Sequence, residues 1–266
     1  MIAADKTSTP PDLTILSLGA GVQSTTMLLM SLYGELPPVD HAIFADTQDE
    51  PQEVYAHLER LKAECEKYGL PFHRVTAGSL SDSVFGPKRK GRFMVPFFQR
   101  NEDGTRGQGK RQCTVDYKLT PITQKERELC GVGPRQRMKS TVKRWIGITV
   151  DEIHRMKPSR IAWERNRWPL VEMRMNRNDC HKWLEARGWT AAKSACVYCP
   201  FHSNAEWRRL KAIPSEWARV IEIDRKLNER GEFLHQTLRP IDEANIGDDS
   251  AQLNLWGNEC EGMCGV

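Results

Sequence analysis

The hydrophobic pattern near the start of the chain alternates between short apolar runs and helical spacing. Leu13–Leu18 is a mostly apolar run typical of a strand, and the spacing over 25–33 predicts a helix after it. A second apolar run at 42–45, helical spacing over 53–68 and a third run at 72–75 continue this order. Strands that alternate with helices favour a parallel α/β sheet, which binds ligands at the carboxyl ends of its strands.

The alternation weakens after residue 75. Residues 76–112 are rich in Gly, Pro and basic side chains, which predicts a long loop. Farther along, the pattern predicts a strand at 145–149 and a helix at 178–187. One or two helices are expected over 203–230, interrupted at Pro214.

Length and composition fit a soluble globular protein. The chain has 266 residues, of which 39% are hydrophobic and 28% charged, and its mean hydropathy is -0.58. No stretch approaches the roughly 18 apolar residues of a membrane span, and the N-terminus is polar, so we expect a cytoplasmic protein without membrane contact. The expected organisation is an α/β nucleotide-binding domain at 1–150 and a largely helical C-terminal part at 151–266.

The formal net charge of +4 is mild, but residues 88–112 contain eight Lys or Arg against two acidic residues. This basic loop would hold the phosphates of a nucleic acid, or it would be a solvated loop near a small anionic nucleotide. Its most basic positions are Lys88, Arg89, Lys90, Arg92, Lys110 and Arg111.

A glycine turn lies between the first predicted strand and helix. The backbone of Gly19, Ala20 and Gly21 can approach a phosphate closely, and the N-terminus of the following helix favours an anion. Ser24 and Thr25 would add hydroxyl donors. The alternative is an ordinary tight turn, because glycine also serves that purpose.

Several segments resemble the PP-loop superfamily, which includes ATP pyrophosphatases, nucleic-acid sulfur-insertion enzymes and phosphoadenosine phosphosulfate (PAPS) reductases. They are SLGAGVQST at 17–25, FADT at 44–47, residues 113–118 with Pro121, and SACVYCPF at 194–201. The resemblance implies a Rossmann-like α/β fold and a site for an adenine nucleotide, either ATP or a PAPS-like molecule. The implied loop residues are Ser17, Gly19, Ala20, Gly21, Gln23, Ser24 and Thr25.

The loop departs from the pyrophosphatase pattern Ser-Gly-Gly-Xaa-Asp-Ser. Gly19 replaces the first Ser, Ala20 the first Gly and Gln23 the Asp. Gln at that position is more similar to the PAPS reductase loop. The missing carboxylate removes a charged group from the phosphate and metal region, so the loop predicts nucleotide binding and leaves Mg²⁺-assisted ATP cleavage open.

Eight cysteines in a chain without an export signal indicate metal binding or thiol chemistry. Cys196 and Cys199 form a C-x-x-C pair that can supply two thiolate ligands. Cys113, in one of the segments that resemble the family, is the expected third ligand. Candidates for the fourth position are Cys260, Cys264, His202 or a non-protein group. Cys65, Cys130 and Cys180 are expected to be buried apolar side chains.

Thiolates suit zinc and iron–sulfur equally. The resemblance to cluster-bearing sulfonucleotide reductases and to the sulfur-transfer enzyme of DNA phosphorothioation favours a [4Fe-4S] cluster, with zinc as the alternative. Those reductases also carry a nucleophilic cysteine in a C-terminal Glu-Cys-Gly segment. Cys260 resembles it in part, because Glu261 replaces the Gly. Cys260 and Cys264 are therefore the candidate catalytic thiols, with a sulfur donor or a thioredoxin-like reductant as partner.

Charged residues complete the predicted site. Asp46 would accept from a ribose hydroxyl or an adenine amine, or would cap the turn that follows it. Lys118 and Arg155 are expected beside the anionic ligand, with Asp151 and Glu152 on the substrate side.

Three functions remain open from the sequence. The first is an enzyme of sulfur chemistry that inserts sulfur into nucleic acid. The second is a PAPS-reductase-like oxidoreductase. The third is a zinc-stabilised module that binds a nucleotide or a nucleic acid without breaking a bond.

Overall fold

A computed structural model describes residues 12–86, 95–109, 112–191 and 193–247. The strands are β1 (Leu13–Leu18), β2 (His41–Asp46), β3 (Phe72–Thr76), β4 (Phe98–Arg100), β5 (Arg106–Gln108), β6 (Val142–Trp145), β7 (Glu164–Arg167) and β8 (Glu232–Phe233). The α-helices are α1 (Val22–Leu32), α2 (Gln52–Lys67), α3 (Asp82–Phe85), α4 (Thr120–Leu129), α5 (Pro169–Glu172), α6 (Arg177–Glu185), α7 (Asn204–Lys211) and α8 (Pro214–Asn228). A π-helix spans Thr114–Leu119, and a kinked 3-10 helix spans Val150–Arg155.

Five parallel strands form the main sheet, in the order β3-β2-β1-β6-β7. This arrangement confirms the α/β fold with a parallel sheet and is compatible with a Rossmann-like domain. The order also shows that the sheet uses residues from both sides of position 150, because β7 at Glu164–Arg167 pairs with β6.

Alternation along β1 gives the sheet two apolar faces. Leu16 and Leu18 pack in one cluster with α1, α2 and α6, while Ile15 packs with Ile122 of α4 on the other face. Helix α2 is amphipathic and turns a buried stripe that includes Cys65 toward the first cluster. A third cluster joins α7 and α8 to the π-helix and to the segment around Tyr198.

The predicted strand at 145–149 is wrong in position. The strand is β6, Val142–Trp145, and the chain leaves the sheet soon after Trp145. The apolar run at 146–149 contains Ile146 and Ile148, which are buried beyond the strand end. The true strand was hidden because Arg144 lies inside it as a buried cation paired with Glu126 and Glu164.

The long loop predicted at 76–112 is also only partly right. It contains α3 and the antiparallel strands β4 and β5, which form a small sheet with β8. These strands have two or three residues each, so no alternation could develop. The helices expected over 203–230 are confirmed as α7 and α8, with α8 beginning at Pro214.

Within the part of the chain that the structure describes, no helix is long and apolar enough to cross a membrane.

Candidate functional site

The glycine turn lies at the point where the order of the strands reverses. From β1 the chain moves to β2 on one side, whereas β6 pairs with β1 on the other side. In open α/β sheets the loops that leave such a point in opposite directions open a crevice at the carboxyl edge. The segment after β1 carries Gly19, Ala20 and Gly21, and the segment after β6 leads to the 3-10 helix.

Internal hydrogen bonds hold the glycine turn. The Gly19 N–H donates to Ser24 Oγ at 3.1 Å, and the Ser24 hydroxyl donates to the Gly21 carbonyl at 3.3 Å. Ala20 has a φ of 59°, in the left-handed region that favours glycine. Thr25 Oγ1 lies 3.0 Å from His57 Nε2. The two hydroxyls expected to face a phosphate therefore have partners inside the protein.

Gln23 connects the two sides of the crevice. Its side-chain amide donates to Glu152 Oε2 at 3.2 Å, and Glu152 Oε1 lies 2.7 Å from Arg155 Nη1. Gln23 and Glu152 are buried. The loop after β1 is thus joined to the 3-10 helix after β6 by a carboxylate between an amide and a guanidinium. Asp151, in contrast, accepts from the backbone N–H of Arg177 at the start of α6.

The Asp46 carboxylate lies at the end of β2 and is engaged by protein groups. Oδ1 accepts from the Gln48 backbone N–H at 2.8 Å and from the Tyr55 hydroxyl at 2.9 Å. Oδ2 accepts two bonds from Arg74, at 2.9 and 2.7 Å. Burial, followed by the nearby Asp46 charge, raises the pKa of Tyr55 and keeps its hydroxyl a donor. Asp46 therefore caps the turn that follows it, and a ribose hydroxyl that bound to Asp46 would have to share the carboxylate with Gln48, Tyr55 and Arg74.

Three predicted metal ligands line one small pocket. Cys113 precedes the π-helix, while Cys196 and Cys199 come from the C-terminal half, and the pocket between them has a volume of about 20 Å³. The Cys199 N–H donates to the Cys196 carbonyl at 2.9 Å, which fixes the C-x-x-C turn. Among the described residues, no three Cys, His, Asp or Glu side chains are arranged to hold one metal ion. The thiols converge, but a metal centre is not shown.

A buried ion pair lies beside this cysteine pocket. Lys118, which also lines the pocket, has its Nζ 3.7 Å from Glu50 Oε1, and both side chains are buried. Glu50 also accepts from Thr47 and Ser194. The pKa of the Cys196 thiol is raised well above its usual range, first by its hydrogen bond with Cys199, then by burial and neighbouring negative charge.

The other cysteines and His202 have different surroundings. Cys65, Cys130 and Cys180 are buried, as expected for apolar side chains, and burial raises the pKa of Cys65 to about 12. His202 Nε2 lies 3.0 Å from the Cys196 carbonyl, so the ring touches the backbone of the C-x-x-C turn. His202 does not line the cysteine pocket.

Some predicted residues lie outside the described residues. They include the candidate thiols Cys260 and Cys264 and the basic positions Lys88, Arg89, Lys90, Arg92, Lys110 and Arg111. Their roles remain predictions from the sequence.

Sequence reasoning missed a larger cavity next to the crevice. It has a volume of about 340 Å³ and is lined by residues that include Ile146, Asn166, Trp168 and Arg155. The signal in the sequence that could have indicated it is the basic segment after Arg155, which contains Lys157 and Arg160. A scan against protein-family models and a search of curated proteins each found no match.

Proposed function

We propose that this chain is an adenine-nucleotide-binding enzyme of the PP-loop type that carries out sulfur chemistry, as a sulfurtransferase or a reductase. Its glycine turn would bind the phosphates, and its cysteine pocket would hold a thiolate-ligated metal centre. A nucleic acid is the proposed acceptor of sulfur.

The observation that carries this proposal is the grouping of unlike chemistries near one edge of the sheet. The glycine turn follows β1, Arg155 ends the 3-10 helix after β6, and Thr47, which follows β2, lines the cysteine pocket. Parallel strands bring their carboxyl ends to the same edge. The glycine turn, cationic side chains and three thiols therefore lie toward the same edge of the sheet, which supports a nucleotide-dependent reaction at sulfur.

The donor set of the cysteine pocket suits a soft metal. Thiolates are ligands for zinc and for iron–sulfur clusters, and a bound cation would favour the thiolate form of Cys196, whose pKa is raised by its hydrogen bond with Cys199, by burial and by neighbouring negative charge. The cysteine pocket as it stands is too small for an iron–sulfur cluster, because its volume of about 20 Å³ holds roughly one water-sized body. A [4Fe-4S] cluster, which would supply electron-transfer chemistry, requires the three cysteines to move apart.

A nucleotide-binding measurement tests the first half of the proposal. Gly21→Asp places a carboxylate where the phosphate would bind, and repulsion between the two should weaken ATP or PAPS binding at least about tenfold. Gly21 is the N-cap residue of α1 with extended backbone, a place where Asp is favoured, so the helix should persist. Gly247→Asp, at an exposed position, adds the same charge elsewhere and should bind normally. Equal affinities in the two folded variants would contradict the assignment.

Metal analysis tests the second half. Iron, sulfide and zinc are measured in protein purified without oxygen, for the wild type and for Cys113→Ser, Cys196→Ser and Cys199→Ser. Iron and sulfide in the wild type, lost together in each variant, is the expected result. Cys65→Ser is the matched control, because Cys65 lies on α2 and is buried in the core with residues of α1.

A zinc-stabilised nucleotide-binding module is the second candidate, favoured by the small size of the cysteine pocket. Stoichiometric zinc, no iron and no turnover with ATP or PAPS would identify it. Thioredoxin-dependent release of sulfite from PAPS would instead identify a reductase.

A further inference from the structure

The 340 Å³ cavity lies over β6 and β7 on the face of the sheet that carries α4. Arg144 of β6 and Glu164 and Asn166 of β7 line it, and so does Thr123 of α4. Its far wall is the segment 157–161. The volume falls within the range of about 300–1,000 Å³ that is typical of small-molecule sites.

The position of the cavity relates it to both halves of the proposed site. Val115 and Leu119 of the π-helix line the cavity, whereas Lys118 of the same helix lines the cysteine pocket. Arg155 also lines the cavity and reaches the glycine turn through Glu152 and Gln23. A ligand in this cavity would therefore contact Arg155, which is linked to the glycine turn, and the same π-helix that lines the cysteine pocket.

The walls combine apolar surface with positive charge. Ile146, Ile148 and Trp168 give the cavity flat or branched apolar surface. The two cations Lys157 and Arg160 also line the cavity and are exposed to solvent. Of the other charged side chains in the lining, Arg144 pairs with Glu126 and Glu164, and Arg155 pairs with Glu152, so the positive charge at the exposed part of the wall comes from Lys157 and Arg160. An apolar body with an anionic end complements this arrangement.

Two polar groups on the cavity residues favour a ring with hydrogen-bonding edges. The Asn166 amide donates from Nδ2 to the Lys157 carbonyl at 2.9 Å, which leaves Oδ1 as its other group. Asn166 Oδ1 and Trp168 Nε1 are buried without a hydrogen-bond partner among the described residues. Unpaired buried polar atoms are unfavourable, and a small shift of these side chains toward a ligand carrying a donor and an acceptor would satisfy both.

We propose that this cavity binds the acceptor substrate, and that the acceptor is a nucleotide unit: a planar base against Ile146, Ile148 and Trp168, with its phosphate near Lys157 and Arg160. A base supplies the apolar faces and the donor and acceptor edge, and stacks on aromatic side chains. The inference rests on the proposed function, since it takes the glycine turn as the site of a different, adenine nucleotide. The unit could be a free nucleotide or part of a single-stranded nucleic acid.

The test measures two probes on the full chain saturated with a non-hydrolysable ATP analogue, which blocks the glycine turn. Thymidine 5′-monophosphate is titrated by calorimetry, and a fluorescent twelve-residue oligothymidylate by anisotropy. The double variant Lys157→Glu with Arg160→Glu should weaken both probes by about tenfold or more and flatten the salt dependence of the oligonucleotide by up to about 1.4 in slope. The matched control, Arg137→Glu with Lys139→Glu, makes the same charge change at two exposed residues that do not line the cavity.

A second variant tests whether the cavity binds the base, independently of the charges that would bind the phosphate. Val115→Trp fills the cavity without changing its charge and should also weaken both probes about tenfold, provided thermal unfolding shows a folded protein. An oligonucleotide that binds at least tenfold more tightly than the monophosphate identifies a nucleic acid; equal affinities identify a free nucleotide. Failure of both probes to bind, or equal loss in the cavity and control variants, overturns the inference. The ATP analogue should bind every variant alike, and its failure to bind the wild type would reject the proposed function instead.

Discussion

Replacing Arg144 with Met should destabilise the fold strongly and in a pH-dependent way. Arg144 is 2% exposed; its Nε donates to Glu126 Oε1 at 2.7 Å, its Nη2 lies 2.6 Å from Glu164 Oε2, and Nη2 also contacts Thr123. Methionine fills similar volume but leaves two buried carboxylates without a cation. Breaking a buried pair in this way costs about 3–5 kcal/mol, which lowers the melting temperature by roughly 6–20 °C at neutral pH.

The sign of the pH dependence follows from Glu126. Burial raises its pKa above the usual 4.5, and the Arg144 charge opposes that rise, so the pKa should rise further in Arg144→Met. When the pKa of a carboxyl group is raised on folding, the protein loses stability as the pH rises from the pKa of that group in the unfolded state toward its pKa in the folded state. The difference in the free energy of unfolding between wild type and variant should therefore be largest at pH 7 and shrink toward pH 5.

Urea denaturation at pH 5 and pH 7 measures both quantities. Lys143→Met is the matched control: it removes a cation from the neighbouring, exposed position of β6 and should change stability by less than about 0.5 kcal/mol. Adding Glu126→Gln to Arg144→Met should recover part of the loss at pH 7 by removing one unpaired charge. A loss below about 1 kcal/mol, equal at both pH values, would refute the role given to this cluster.

Three further outcomes are expected. Burial lowers the pKa of His57 from 6.5 to about 4, so its neutral form favours folding above pH 6.5, and about 3 kcal/mol should be lost as pH falls from 6.5 to 4. Urea denaturation should show a shallower decline in His57→Gln. In folded protein stripped of metal, a thiol reagent should modify Cys113, which is partly exposed, before the buried Cys65; equal rates would contradict the placement. Neutralising residues 88–90 should flatten the salt dependence of nucleic-acid binding by up to about three charges, and an unchanged slope would leave a solvated loop.

Local patterns were sufficient for the first part of the sheet. Strands β1 and β2 are dominated by apolar residues, β3 has Phe72 and Val75, and α2 has a regular stripe, so these patterns identify the elements within a few residues. Strand β6 could not be found in this way. Its Arg144 is compatible with a buried strand only because Glu126 and Glu164, which are distant in sequence, reach it in the folded chain.

The candidate site also has a part that local sequence patterns predict and a part that they do not. The C-x-x-C turn and the glycine turn are local motifs, and both are visible in the sequence. The cavity depends on side chains from the π-helix, β6, β7 and the segment 157–161, which no local pattern connects. The partners of Asp46 and Gln23 were also unpredictable, because Arg74 and Glu152 approach from other elements.

The π-helix explains how one short segment can face two pockets. A π-turn closes its hydrogen bond at i→i+5 and so contains one residue more than an α-turn, which rotates the following residues by about 100° relative to a continuous α-helix. Thr114–Leu119 is followed at once by α4, and the Thr120 hydroxyl donates to the Val115 carbonyl at 2.8 Å, giving that carbonyl a partner inside the wide turn. With the extra residue, Cys113 and Lys118 line the pocket that also contains Cys196 and Cys199, while Val115 and Leu119 line the larger cavity. Because this spacing departs from 3.6 residues per turn, the helical period of the sequence could not reveal it.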